Sequence, residues 1–260
     1  MPVASSQFPA EAGRKVVVVA ALEREVQPAV KHWSRCEREC GGRRLKFFER
    51  EDAALICGGI GGKAAGAATE AAIALYHPEL VISAGFAGAL APTLAVGEWV
   101  LPALVVDAAD GSRYETDIRK TRLEKTASRH LVLVSVDGVV NPERKAVLFR
   151  SYAAQAVDME AAAVAKVARS HGVQFLALKT VSDESGFEMP PVERFIQPDG
   201  ALDVWGLVAY AGPRFWLWPR LMTLTRNSSL ASGALCSWLE DGVLWQSLVS
   251  PLLRGEVAST

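Results

Sequence analysis

Residues 156–165 read Ala156-Val157-Asp158-Met159-Glu160-Ala161-Ala162-Ala163-Val164-Ala165, and this stretch decides how the chain is read. A run from Ala153 that ends at Asp158 gives way to an Ala-rich run whose apolar residues recur at helical spacing, so a strand hands over directly to a helix. Glu160 then falls in the first turn of that helix. There, free backbone N–H groups and the macrodipole favour an ionised carboxylate. A group so placed is a good hydrogen-bond acceptor and a poor acid. It would also serve merely to start a helix, so its meaning depends on the rest of the chain.

The same handover recurs on both sides. Lys15 to Leu22 is a Val-rich run followed by Glu23, Arg24 and Glu25, a buried strand feeding a helix that continues toward Trp33. Lys46–Glu49 and Ala53–Cys57 read as a hairpin around Arg50-Glu51-Asp52, and the second strand runs through Gly58-Gly59-Ile60-Gly61-Gly62-Lys63 into an Ala-rich helix ending near Tyr76. Further strands are expected over Leu80–Ala84, from Val96 through Val106, over His130–Val136 and over Gln174–Val181, with Asp107–Lys125 an exposed hairpin or loop. Asn141-Pro142 starts a helix, and the helix after Met159 stops near Gly172. Alternating strands and helices predict an α/β fold: one three-layer α/β/α domain around a mixed sheet. In open sheets of this kind ligands bind at the carboxyl ends of the strands, which puts Glu25, Glu160 and Asp183 on one edge. Glu23 reads as a solvated charge opening a helix.

Two phosphate-binding motifs fail on inspection. Gly59-Ile60-Gly61-Gly62-Lys63-Ala64 fits the loose dinucleotide pattern, but it does not open the first strand–helix–strand unit. The next strand, moreover, ends on Gly85 instead of an acid that would hold a ribose. A Walker loop is excluded because Cys57 stands at its first glycine and Ala64 at its Ser/Thr position.

Of the 260 residues half are hydrophobic and 22% charged, and the formal net charge is −1, a globular composition without the basic excess that nucleic acid would call for. Cys36, Cys40, Cys57 and Cys236 are too scattered for a disulfide framework. Cys36 and Cys40, four apart, are expected one turn apart on a helix rather than in a zinc knuckle. The four histidines stand apart, so neither a metal nor another cofactor is expected. Residues 1–14 read as a loose leader without a signal-type apolar region, and no uncharged apolar run is long enough to span a bilayer; both features predict a cytoplasmic protein. Five of the seven tryptophans follow Leu202. The expected organisation is therefore a leader, an α/β unit over 15–200, and an aromatic-rich helical extension over 201–260 packed on it. Such aromatics with interspersed Arg suit core helices, a subunit interface, a greasy ligand pocket or a membrane surface.

Ala21-Leu22-Glu23-Arg24-Glu25-Val26, Gly59-Ile60-Gly61, Ser83-Ala84-Gly85-Phe86-Ala87-Gly88, Val157-Asp158-Met159-Glu160-Ala161 and Val181-Ser182-Asp183 occur in that order. The series resembles the nucleoside phosphorylase/nucleosidase superfamily, and within it the 5′-methylthioadenosine/S-adenosylhomocysteine nucleosidase branch. The resemblance implies a partly barrel-like sheet and cleavage of a purine N-glycosidic bond with release of adenine from a 5′-substituted adenosine. Asp183 would protonate the leaving base, Glu25 would hold and activate water, and Glu160 would accept the ribose hydroxyls. Met159 would pack on the sugar, while Gly59 and Gly85 would shape the nucleophile pocket. Phe86 departs from the pattern, standing where many relatives place a small hydroxyl residue, and Val139 replaces a base-stacking aromatic. The tail Pro213–Pro219 is similar to the hopanoid-associated phosphorylase subgroup, which implies adenosylhopane as substrate and peripheral membrane contact. A homodimer is implied as well. A phosphate-dependent phosphorylase and a non-catalytic nucleoside-binding or membrane-associated protein are the alternative readings.

Overall fold

In the computed structural model, residues 15–120, 131–241 and 245 are described, so the expected leader lies outside the described residues. Val16–Ala20 forms β1, an all-aliphatic strand buried along its whole length. This is possible only where both faces of the strand are covered. It is followed by α1 (Glu23–Val30), β2 (Ser34–Cys40), β3 (Arg43–Glu49), β4 (Ala53–Cys57) and α2 (Gly62–Tyr76). The ten-residue β5 (Leu80–Ala89) comes next, then β6 (Trp99–Val100), β7 (Leu104–Asp107), β8 (Arg113–Glu115) and β9 (Val132–Ser135). The chain continues through α3 (Pro142–Tyr152), β10 (Ala156–Asp158), α4 (Ala161–Ser170), β11 (Gln174–Asp183), α5 (Val204–Ala211) and α6 (Trp218–Glu240). The expected strand from Val96 through Val106 is two strands, with Pro102, which has no N–H to give a ladder, in the gap between them.

The described strands form one mixed sheet in the order β2-β3-β4-β1-β5-β10-β9-β7-β8, with β11 on β5 and β6 on β11. This bears out the α/β fold with a mixed central sheet. Its pivot is β5. The first half of β5 runs parallel between β1 and β11. Its far end keeps β11 on one side and takes β10 antiparallel on the other, with Val157 opposite Gly88. A bulge between Val181 and Asp183 sets Asp183 opposite the same Gly88. The strand ends that carry Asp158 and Asp183 therefore converge on one position of β5.

Small side chains let the helices lie close to this sheet. Ala65, Ala68 and Ala72 of α2 and Ala161, Ala165 and Ala168 of α4 are buried in one core with Val17, Val19 and Val81. On the opposite face, Val26 and Val30 of α1 and Leu235, Trp238 and Leu239 of α6 pack with Val16, Val18 and Ile82.

The placement of Cys36 and Cys40 on a helix is corrected by the structure. Both lie on β2 and turn toward the core, while Arg35, Glu37 and Glu39 point to solvent. The strand ends the sheet, and charged side chains are how an edge strand is kept from pairing further. Those same charges gave the segment its helical look.

The end of the described chain is tied to the β3–β4 turn. The Arg50 guanidinium sits 4.7 Å from the Trp33 ring centroid and 4.6 Å from that of Trp245, and Trp245 Nε1 donates to Asp52 at 3.3 Å. Trp238 is fully buried, so α6 belongs to the core that supports β1. Trp238→Ala should accordingly cost about 3–5 kcal/mol, measured as a lower urea midpoint with an unchanged slope.

Candidate active site

At the carboxyl end of β1, α1 starts at once, and Glu25 in its first turn is only 6% exposed. Its Oε2 has no hydrogen-bond partner among the described residues. The nearby cation is Lys179, a buried lysine that follows the apolar run Phe175–Leu178 of β11, with Nζ 2.9 Å from Asp158 Oδ2. Asp158 is held from two further sides, by the Ser135 hydroxyl at 2.5 Å and the Ala161 amide at 2.9 Å. Glu160 Oε1 accepts the Gly61 amide at 2.8 Å, and its Oε2 the Met159 amide at 3.3 Å.

Three carboxylates thus surround one buried ammonium, and the proton affinities of Glu25, Glu160 and Lys179 respond. Burial above all, with the neighbouring Glu160, pushes Glu25 up to about 7, against the pull of Lys179. Burial, with Asp158, also raises Glu160, although Lys179 and the two amides oppose the shift. Burial works against the charge on Lys179, but Asp158, Glu160 and Glu25 outweigh it and hold the ammonium above its ordinary range. Glu160 is therefore not the ionised first-turn carboxylate expected from its place in the sequence. The residue is the N-cap of α4 and its side chain makes no capping bond. It reaches across to the loop before α2, where lost hydration dominates over the dipole.

Glycine makes this arrangement possible at Gly85. A Cβ there would lie 3.0 Å from Glu25 Oε2 and 3.8 Å from Lys179 Nζ, and the backbone holds φ at +148°. At Gly88 a Cβ would come 2.9 Å from Asp183 Oδ2. Asp183 itself is 3% exposed. Its Oδ1 accepts from the Ser182 hydroxyl at 2.7 Å, and its Oδ2 is ion-paired with the buried Lys145.

A cavity of about 590 Å³ connects the two centres and is bordered by Glu25, Phe86, Val139, Met159, Glu160 and Asp183. Gly85 and Gly59 stand outside its lining. Gly85 lies against the Glu25 carboxylate. Gly59 donates to the Ala21 carbonyl at 2.9 Å and packs under the Asp199–Gly200 turn, where a Cβ would meet the Asp199 carbonyl at 2.8 Å. The far wall mixes apolar and hydroxyl side chains: Met189 and Ile196 and, from the C-terminal extension, Leu202, Leu207, Leu221 and Leu224 beside Thr225, Ser228, Ser229 and Ser232. Among the described residues no group of three His, Cys, Asp or Glu side chains could hold a metal ion.

Sequence reasoning singled out neither lysine. The signal for Lys179 was a charge directly after an apolar run, and for Lys145 its spacing of three and seven from Leu148 and Tyr152 on the inner face of a helix. The raised Glu25 has a measurable consequence. A carboxyl with a higher folded than unfolded pKa binds protons more tightly when folded, so its contribution is present below about pH 4.5 and lost as pH rises through about 7. Glu25→Gln should therefore match the wild type in acid and exceed its stability by about 3 kcal/mol above neutrality, checked by urea unfolding across that range.

Comparison with known proteins gives the family. The chain is 28% identical over 205 residues to a 5′-methylthioadenosine/S-adenosylhomocysteine nucleosidase of Geobacillus kaustophilus, covering 67% of this chain and 86% of the relative. A Marinomonas nucleosidase of the same description is 27% identical over 202 residues, covering 66% of this chain and 87% of that protein. Among solved structures, the Helicobacter pylori methylthioadenosine/S-adenosylhomocysteine nucleosidase superposes with a TM-score of 0.65 at 20% identity, over 89% of this chain and 98% of that one. The futalosine hydrolase of the same organism gives 0.63 at 18% identity, over 92% and 97%. These two likenesses bear on the fold alone. The family profile described as the phosphorylase superfamily matches residues 15–197, a span that contains both carboxylate centres, and the chain belongs to that superfamily.

Proposed function

We propose that this protein is a purine nucleosidase that cleaves the N-glycosidic bond of a 5′-substituted adenosine with water. The observation that carries the reading is the pair of separate carboxylate centres on one cavity: Glu25, Asp158 and Glu160 around Lys179, and Asp183 beside Lys145. Bond cleavage needs a proton on the leaving base, a stabilised ribosyl cation and a nucleophile on the opposite face. Asp183 supplies the proton to the base. The carboxylates of the other centre offset positive charge growing on the sugar, and Glu160 accepts the ribose hydroxyls while Met159 packs on the ring. Glu25, with its proton affinity near neutrality, takes a proton from the attacking water.

Water is favoured over phosphate by charge and by bulk. Three carboxylates against a single ammonium repel an anion, and Phe86 occupies the position before Ala87 and Gly88 on the cavity side of β5. The four leucines of the far wall support an apolar 5′ substituent, and one as large as that of adenosylhopane is the reading we favour. The same extension supports contact with a membrane. Trp205 is 80% exposed, Phe215 73% and Trp216 60%. The segment Val204–Leu239 carries Arg214, Arg220 and Arg226 without one acidic residue, as suits an anionic surface. No described helix is long and apolar enough to cross a bilayer.

Adenine release should be followed from adenosines bearing 5′ groups of increasing apolar size, with and without phosphate. Release is expected without phosphate, without sugar 1-phosphate, and faster for the larger groups; strict dependence on phosphate would sink the hydrolytic reading. Asp183→Asn should lower kcat by about 10²–10⁴-fold. Since Trp238 anchors α6, truncation is a poor test of membrane contact. Combined Trp205→Ser, Phe215→Ser and Trp216→Ser should instead abolish co-sedimentation with anionic vesicles while leaving the melting temperature unchanged.

A further inference from the structure

We propose that Lys145 is a positioning residue that supplies the proton which Asp183 delivers. The proposal rests on the nucleosidase reading above. Lys145 projects from the second turn of α3 and is 1% exposed, among the most deeply buried large side chains of the protein. Its Nζ is ion-paired with Asp183 Oδ2 and donates to the Glu184 carbonyl at 2.7 Å. Asp183 borders the cavity, whereas Lys145 does not. The ammonium therefore stands behind the carboxylate, out of reach of a ligand and in contact with the one group that would touch the base.

A buried ion pair whose partners share one proton can exist as ammonium and carboxylate or as amine and carboxylic acid. Burial narrows the difference between the two, because it disfavours both charges together. The carboxylic acid form is the one an acid catalyst needs. In the step proposed, an Nζ–H bond of Lys145 breaks as an O–H bond forms on Asp183. That O–H then breaks as N–H forms on the base, and the electron pair of the C1′–N9 bond stays with the base. The water oxygen bonds to C1′ as one of its O–H bonds breaks and that proton passes to Glu25. Lys145 is left as the amine, and solvent exchange returns a proton to it and removes one from Glu25, so the cycle balances as hydrolysis.

The surroundings leave Asp183 as the partner of this lysine. β5 and β9 carry no titratable side chain. Asp158 on β10 and Lys179 on β11 bind each other. Glu143, Arg144 and Arg150 on α3, Glu184 after β11 and Glu193, which lies against Gly138, are all exposed. Gly88 allows the close approach, since a Cβ there would also sit 3.4 Å from Lys145 Cε.

The test is the pH dependence of single-turnover adenine release by the wild type, Lys145→Met and Lys145→Arg. The wild type should stay active up to the pH at which the pair loses its shared proton. Lys145→Met must take each proton from solvent onto Asp183 alone. Its alkaline limb should move down by one pH unit or more, with a loss of about a hundredfold above the shifted limb and a much smaller loss in acid. Lys145→Arg keeps the charge but cannot release a proton, and it should be slow across the whole range. An unmoved limb in Lys145→Met, or a wild-type profile in Lys145→Arg, overturns the proposal while leaving the nucleosidase reading intact. A wild type that releases no base from any purine nucleoside overturns both. If neither variant folds, nitrogen-15 NMR of wild-type lysine Nζ groups decides: Lys145 should titrate with the alkaline limb, and a Lys145 that stays charged beyond it refutes the idea.

Discussion

Everything at the ligand edge depends on one unbalanced burial: the Lys179 ammonium taken out of water among three carboxylates. A buried charge is tolerable only if paired and hydrogen-bonded. The protein meets that condition for Asp158 and only partly for the other two. Asp158 has the lysine, the Ser135 hydroxyl and the Ala161 amide, and it is the fixed member of the group. Glu160 is held by two backbone amides, while Glu25 keeps one oxygen without a hydrogen-bond partner among the described residues. The group is thus graded from structural to reactive. The residue with the least support is the one whose proton affinity lies near neutrality.

Strand β5 sets the distance over which such a group can act. Its two glycines, Gly85 and Gly88, each receive a lysine–carboxylate centre against bare backbone: Glu25 with Lys179 at the first, Asp183 with Lys145 at the second. Three residues of extended chain separate them, about 10 Å, roughly the span of a sugar and its base. The bulge before Asp183 and the antiparallel pairing of β10 at Gly88 serve that spacing. The sheet is branched at β5 because two strand ends must reach one strand.

Much of this was legible in residue order. The Val-rich run at β1, the Ala-rich helices and the carboxylates closing β1, β10 and β11 sufficed to give the layer architecture and to bring Glu25, Glu160 and Asp183 to one edge. What stayed hidden had physical reasons. β2 carries its charges on the solvent side of an edge strand, where alternation is masked by helix-forming Arg and Glu. A macrodipole favours the ionised form of Glu160 only at a solvated helix end, and burial reverses the direction here. Both lysines escaped notice because a lysine is ordinarily a surface residue. Only the pairing of strands distant in sequence reveals which carboxylate each one faces. The aromatic tail was correctly seen as unusual, but its division into a core face with Trp238, a cavity face with Leu221 and Leu224, and an exposed face with Trp218 and Met222 needed the helix to be placed.

That division on α6 bears on how such a protein can diverge. One helix lines the cavity from Leu221 to Gly233 and carries the aromatic anchor of the sheet in its last turn. A lineage exploring new ligands through Leu221 or Leu224 therefore alters a helix on which folding also depends, and one that also touches the first centre, since the Ser232 hydroxyl donates to the Glu25 carbonyl at 3.0 Å. Drift in what the cavity accepts is limited both by thermal persistence and by the placement of Glu25.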